Sequence, residues 1–392
     1  MSWLTATEAL QVLGVRPQTL YANVSRKKIR AKPDPKDTRR SLYHEADVRK
    51  MARQHGGQRK ATAVAAAAIE WGDPILSSAI STVVDGRLYY RGQDAVVLSE
   101  EGSLEDVARL LWGESRLDGG ERRDDAAEPG VSPVRVGAKS SPLQRAFLAL
   151  GVRAATDLSS YGRALPVLQE ESASVLVALA DAMLEGGGSH DWPAALHRQA
   201  IASWNRPAAA DIVRRALVLL ADHELNASTF AARVAVSTGA PLAAGVLSGL
   251  ATLSGPLHGR ASLGVLELVA GVERAGADVT IRDWLSQGRP IAGFGHPLYP
   301  QGDPRATALL QHFTLPEPYA DLRDDIEEAI GERPNIDFAL AALTKVFDLP
   351  QEAPLVLFAL GRCVGWLAHA LEQVTTGHPI RPRARYVGRP IS

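Results

Sequence analysis

Apolar residues recur at helical spacing through most of the chain beyond residue 142, and no other feature constrains the fold as much. Residues 172–184, 207–223, 227–238, 263–275, 321–330 and 354–373 carry them three and four apart, the pattern of helices with a buried face. No Walker loop, glycine-rich fingerprint after a strand, or strand–helix–strand unit of nucleotide-binding proteins occurs, which argues against those folds. The expected body is therefore mainly α. One β-hairpin is expected over residues 82–90, with Asp85-Gly86 at its turn. Residues 115–142, rich in Gly, Asp, Arg, Ser and Pro, read as an exposed loop.

Residues 234–257 contain no charge and are long enough to span a bilayer. They also carry Gly239, Pro241, Gly245, Gly249 and Gly255 among small side chains, which suits close packing inside a protein. The reading is a buried core helix with no membrane partner. With 392 residues, 46% of them hydrophobic, the chain can form two or three domains around a sizeable core. Its single cysteine, Cys363, cannot form an internal disulfide, which fits the cytoplasm. The first ten residues do not read as a secretory signal.

Charge divides the chain into two chemically different parts. Residues 1–60 hold 14 Lys/Arg against 5 Asp/Glu, a net of +9, while the remainder is net −10. Thr5 and Glu8 are spaced as a capping box for a helix that ends at Gly14. A second helix is expected from Pro17 to about Val24, a strand over residues 39–43, and a further helix over 45–53. This segment resembles the winged helix-turn-helix modules of the MerR and excisionase families. The resemblance implies that Gln18, Thr19, Tyr21 and Asn23 face DNA bases and that Arg26, Lys27, Arg39 and Arg40 face phosphates. The alternative is a small helical docking domain with solvated charges. The expected boundaries are 1–55 for this domain, 56–70 for a polar linker and 71–392 for the body.

Within the body, histidines sit where glycine and proline crowd in: Asp222-His223-Glu224-Leu225-Asn226, Gly255-Pro256-Leu257-His258-Gly259 and Gly293-Phe294-Gly295-His296-Pro297. The last segment runs on to Asp303-Pro304-Arg305, and Arg333-Pro334-Asn335-Ile336-Asp337 places a carboxylate at a helix start. There is no His-Glu-x-x-His and no cysteine pair, so a zinc or iron site is not expected. No nucleophile elbow in a strand–turn–helix setting argues for a serine hydrolase. Each histidine alone can be structural. Together with arginines on separate segments, the set suits acid–base chemistry on a polycarboxylate.

In order, spacing and wording these segments resemble the citrate synthase family over residues 75–388. The carrying motifs are Tyr90-Arg91-Gly92, Gly-Pro-Leu-His-Gly, Gly-Phe-Gly-His with Asp-Pro-Arg, Pro-Asn-x-Asp-Phe and Gly365-Trp366-x-Ala368-His369. The resemblance implies a catalytic trio of His258, His296 and Asp337, and oxaloacetate binding by His223, Arg305, Arg362 and Arg381. Arg381 would reach the partner subunit's site, and Asn226 would help orient His258. It further implies an almost all-helical homodimer or higher oligomer whose smaller mobile domain, about 262–347, closes over oxaloacetate. No permanently bound cofactor is implied; acetyl-CoA, or propionyl-CoA in a 2-methylcitrate synthase, is the co-substrate. A DNA-binding regulator that senses oxaloacetate or citrate is the reading from another class. Gly259-Arg260-Ala261-Ser262, Pro297 and Ala339-Leu340-Ala341 depart from common family wording, so no coenzyme A contacts are assigned.

Overall fold

The structure is a computed structural model that describes residues 3–13, 20, 24, 28–34, 37–49, 76–113, 140–184, 195–286, 291–384 and 386–389. The chain divides into two units, Met1–Ser77 and Ser78–Ser392.

In the first unit, β1 (Trp3–Leu4), β2 (Ala31–Asp34) and β3 (Asp37–His44) form an antiparallel sheet in the order β1-β3-β2. Helix α1 (Ala6–Leu13) starts at the expected capping box: the Thr5 N–H donates to Glu8 Oε2 at 2.8 Å, and the Glu8 N–H to Thr5 Oγ1 at 3.4 Å. Ala9, Leu20, Ile29, Tyr43 and Val48 make a small core, and residues 45–49 are helical. Arg39 and Arg40 lie on β3. Gln18, Thr19, Tyr21, Asn23, Arg26, Lys27 and the 56–70 linker lie outside the described residues.

The second unit opens with β4 (Ser81–Val84), β5 (Arg87–Tyr90) and the short β6 (Gln93–Asp94). Asp85 and Gly86 turn the β4–β5 hairpin with φ of 51° and 73°, the left-handed region that such a tight turn needs. The described residues beyond it are helical apart from their connections. α2 (Ala95–Glu101), α3 (Leu104–Trp112), α4 (Pro142–Thr156), α5 (Leu165–Met183) and α6 (Leu196–Trp204) lead into α7 (Ala210–Leu220), α8 (Ala227–Val236) and α9 (Leu242–Leu253). Then come α10 (Ala261–Ala275), α11 (Ala277–Ser286), α12 (Pro304–Leu310), α13 (Glu317–Ile330), α14 (Ile336–Val346) and α15 (Ala353–Thr376). Most of the expected loop, residues 114–139, lies outside the described residues.

The charge-free stretch is not one helix, as expected, but parts of two. Gly239 takes φ of 84° and Pro241 precedes the first turn of α9, so the chain reverses and α9 packs back on α8. α15 is long and apolar enough by composition to cross a membrane, yet 94% of its apolar window is buried inside the unit. It is the central wall of the main core, touching α5, α7, α8 and α9. A second core gathers Val265, Leu268, Ile281, Trp284, Phe294, Leu322 and Ile326 from residues 261–330. α14 serves both: Ile336, Ala339, Leu340 and Leu343 enter the main core, while Phe338, Ala341 and Ala342 enter the second. These sets fall on opposite sides of a 3.6-residue helix.

Candidate active site

Three connections and the turn carrying His258 converge on one site. The first follows α7. Residues Asp222–Asn226 are pinned by the hairpin, since Ser81 Oγ accepts the Glu224 N–H at 2.9 Å and Glu224 Oε1 accepts the Val83 N–H at 2.7 Å. His223 is thereby held buried, its Nε2 2.9 Å from the Tyr299 hydroxyl and its ring edge-on to His296 at 5.0 Å.

Asn226 caps α8, its Oδ1 accepting the N–H groups of Ser228 and Thr229 at 3.1 Å. The expected support of His258 by Asn226 runs through an intermediary. Ser228 Oγ lies 2.7 Å from Asn226 Oδ1 and 2.9 Å from His258 Nε2, and accepts the Trp366 indole N–H at 3.1 Å.

The second and third connections, residues 291–303 and 331–335, are zipped together. The Gly295 N–H donates to Arg333 O, the Asn335 N–H to Gly293 O, both at 2.9 Å, and Asn335 Nδ2 to Gly295 O at 3.0 Å. Gly293 and Gly295 make this possible with φ of 82° and 67°. His296 Nδ1 accepts the Leu298 N–H at 3.2 Å, which leaves the proton of a neutral ring on Nε2. Asp337 stands on the first turn of α14. Its Oδ1 is shielded from solvent and has no hydrogen-bond partner among the described residues.

The arginines are set differently. Arg305 is bound bidentately by Asp303, at 3.0 Å through Nε and 2.8 Å through Nη2, with both side chains almost fully buried. Arg362, on α15, donates from Nε to Leu220 O at 3.1 Å, while its Nη2 is buried without a partner among the described residues. Such a group carries a desolvation penalty until an acceptor arrives. The chain after α15 leaves Arg381 exposed, with no hydrogen bond or ion pair to the other candidates among the described residues.

Burial sets the protonation states. It pushes the Asp337 carboxyl up to about 7 against the pull of Arg305, with the Asp303 anion adding to the rise. Burial, with Arg362 beside it, holds His258 down at about 4. Burial and Arg305 hold His296 at about 4, and His223 is driven well below the ordinary histidine value. The site at neutral pH therefore holds uncharged imidazoles, a carboxylate close to its own titration point and two buried cations. It can bind a dianion, remove a weakly acidic proton and return one to a nascent alkoxide. Among the described residues no group of three or more His, Cys, Asp or Glu is placed to hold a metal ion.

Tyr299, Ser228 and Asp303 had no expected role, although each lies within three residues of one that did. Their position beside His296, Asn226 and Arg305 is the only hint in the sequence.

A mainly helical fold with such a site defines a class of acid–base enzymes acting on anionic substrates. The sequence pattern described as "Citrate synthase, C-terminal domain" matches residues 167–383. Citrate synthase 2 of Bacillus subtilis (strain 168) is 30% identical over 350 residues, which cover 80% of this chain and 93% of that protein. Citrate synthase of Synechocystis sp. is 31% identical over 358 residues, 81% of this chain and 89% of that one. The crystal structure of citrate synthase from Thermotoga maritima MSB8 superposes with a TM-score of 0.67 at 25% identity, covering 82% of this chain and 95% of that one. The chain belongs to the citrate synthase family.

Proposed function

We propose that the chain condenses acetyl-CoA with oxaloacetate and hydrolyses the product to citrate and coenzyme A. The observation that carries the reading is Asp337: a shielded carboxylate, raised to about 7, within the field of the two buried arginines Arg305 and Arg362.

A thioester methyl is a weak carbon acid, so its deprotonation needs both a base and stabilisation of the enolate oxygen. Asp337 takes the methyl proton. His258 stabilises the developing oxyanion by donating a hydrogen bond from Nδ1. That role requires the Ser228 hydroxyl to donate to His258 Nε2 rather than to Asn226 Oδ1, because Ser228 has one proton for two acceptors. The enolate carbon attacks the ketone of oxaloacetate, the new carbon–carbon bond forms, and the alkoxide takes the proton from His296 Nε2. Water then cleaves the thioester and coenzyme A leaves. Arg305, Arg362 and His223 hold the oxaloacetate carboxylates, the arginines by charge-assisted bonds, and Arg381 comes from the partner subunit of a homodimer. The second hydrophobic core supports a mobile domain of about 262–347 that closes and excludes water. Release of free thiol from acetyl-CoA, but not from acetyl-CoA without oxaloacetate, tests the activity. Faster release from propionyl-CoA would transfer the chain to the 2-methylcitrate reaction.

For the first unit we propose a DNA-binding winged helix-turn-helix, supported by the net charge of +9 on residues 1–60, the capped α1 and the β2–β3 hairpin carrying Arg39 and Arg40. A DNA mobility shift that weakens with salt and is lost on replacing both arginines by alanine is the expected result. No shift at low salt would make the unit a docking domain. Cytoplasmic placement is supported by the free, buried thiol of Cys363.

A further inference from the structure

Behind the site, opposite charges and a histidine are buried together without a role in the chemistry above. Asp222 and His369 are both fully buried, and His369 Nε2 lies 3.3 Å from Asp222 Oδ2. Arg233, also buried, faces the other ring nitrogen, with Nη1 3.2 Å from His369 Nδ1. A guanidinium can only donate, so Nδ1 accepts, the ring proton sits on Nε2, and Nε2 donates to Asp222. Arg233 is fixed in turn by Glu372 at 2.6 Å and by Gln373 Oε1 at 3.0 Å. Ser81 Oγ, on the hairpin, makes a short hydrogen bond to the same Asp222 oxygen.

The placement of this network gives it a purpose. Arg362, Gly365 and His369 are spaced three and four apart on α15 and so share one face. That face meets residues 217–223. A side chain at Gly361 would touch Leu220, and one at Gly365 would collide with the Asp222 carboxylate and the Ala221 carbonyl. Two hydrogen bonds then fix the register of chain against helix: Arg362 Nε to Leu220 O, and His369 Nε2 to Asp222 Oδ2. The residue after Asp222 is His223, and the tethered Arg362 is the arginine whose Nη2 has no partner among the described residues.

We infer that the His369–Asp222 pair is a positioning device for oxaloacetate: it locks residues 220–223 against α15 so that His223 and Arg362 converge on one carboxylate. The inference rests on the citrate synthase reading above and adds to it residues that touch no substrate. The Asp222 charge serves a second end. Asp303 neutralises Arg305 directly, whereas Arg362 has no carboxylate within salt-bridge distance among the described residues, and Asp222 supplies the nearby buried anion that acts on it. The Arg362 cation is thus balanced without its Nη2 being consumed.

The test uses the full-length protein. His369→Leu removes both hydrogen bonds and is expected to raise the Kd and KM for oxaloacetate about tenfold, with the KM for acetyl-CoA changed by less than about twofold. His369→Gln places an amide donor near the former Nε2 and should recover most of that affinity. Ser81→Ala reaches the same carboxylate from outside the α15 core and should shift the same constants in the same direction, by about threefold. Equal rises in both KM values, or unchanged oxaloacetate affinity in the folded leucine variant, overturn the inference. If the leucine variant does not fold, the glutamine and Ser81 variants decide by the same criterion. Turnover absent from the unmutated chain, with oxaloacetate still bound, would sink the synthase reading and leave positioning to be judged on Kd. Absence of oxaloacetate binding would remove both.

Discussion

Asp303 and Arg305, two residues apart, form a buried bidentate pair, and the same Asp303 Oδ2 accepts the Ile336 N–H at 3.0 Å. One carboxylate therefore aims the Arg305 guanidinium and holds the first N–H of the helix that carries Asp337, beside the cap that Asn335 supplies. Asp303→Ala strands a buried cation, removes the cap of α12 and leaves the Ile336 N–H at the start of α14 without its acceptor. The expected cost is about 3–5 kcal/mol of stability, read by denaturant unfolding, and oxaloacetate binding should be lost with it. A cost under about 1 kcal/mol would show that Arg305 finds another partner.

Asp337→Asn should lower kcat at least about 100-fold while leaving oxaloacetate affinity intact. In the unmutated protein, kcat/KM for acetyl-CoA should rise with pH through about 7, since the base acts only when ionised. His258 and His296, held at about 4, remain neutral and contribute no limb between pH 5 and 9. Activity that falls as pH rises through 7 would mean that a protonated group is needed instead.

The same substitution has a stability signature. The folded carboxyl titrates at about 7 and an unfolded one near 4. Between those values the unfolded state sheds its proton first, so stability falls as pH rises, and the deficit persists above 7. Asp337→Asn should therefore melt higher than the parent at pH 8, with the difference shrinking toward pH 4. Equal melting at both pH values would contradict a raised carboxyl.

Ser228→Ala removes the group that lies 2.9 Å from His258 Nε2 and leaves the Trp366 indole N–H without its acceptor. Proton abstraction should slow about 10- to 100-fold with little change in the KM for oxaloacetate. Exchange of the acetyl-CoA methyl protons with deuterated solvent, measured with a non-condensing oxaloacetate analogue, isolates that step. Normal exchange in the variant would assign Ser228 a packing role alone.

Arg381 gives a test of assembly. Separately purified Arg381→Ala and Asp337→Asn proteins should each be inactive; refolded together they should regain activity, because a hybrid dimer contains one site with both residues native. No recovery in a mixture shown to contain hybrids would place Arg381 outside the partner's site.

The motifs that named the site were readable because each is local: a histidine on a glycine turn, an arginine after Asp-Pro, a carboxylate after a capping asparagine. What joins them was not readable. Asp222 and His369 are 147 positions apart, and Trp366 reaches Ser228 across 138, so no spacing rule connects them. The helical spacing of residues 227–238 marks α8, but Gly239 and Pro241, which the sequence offers equally as close-packing residues of one buried helix, break the charge-free stretch. The structure ends α8 and starts α9 there. α5 starts at Leu165, well ahead of the expected 172, because Pro166 near its start suits a first turn.

One helix, α14, is a wall of two cores, and its first turn holds Asp337, the proposed base. Selection for a faster or slacker enzyme cannot treat those cores alike. If the smaller domain moves as proposed, changes at Val269, Ile281 or Trp284, none of them on α14, would tune how readily it does so. Changes at Phe338, Ala341 or Ala342 would shift the helix that carries the proposed base. Variants adapted to cold or heat should accumulate in the first group and spare the second, so the tolerance map of this helix would itself trace the line between motion and chemistry.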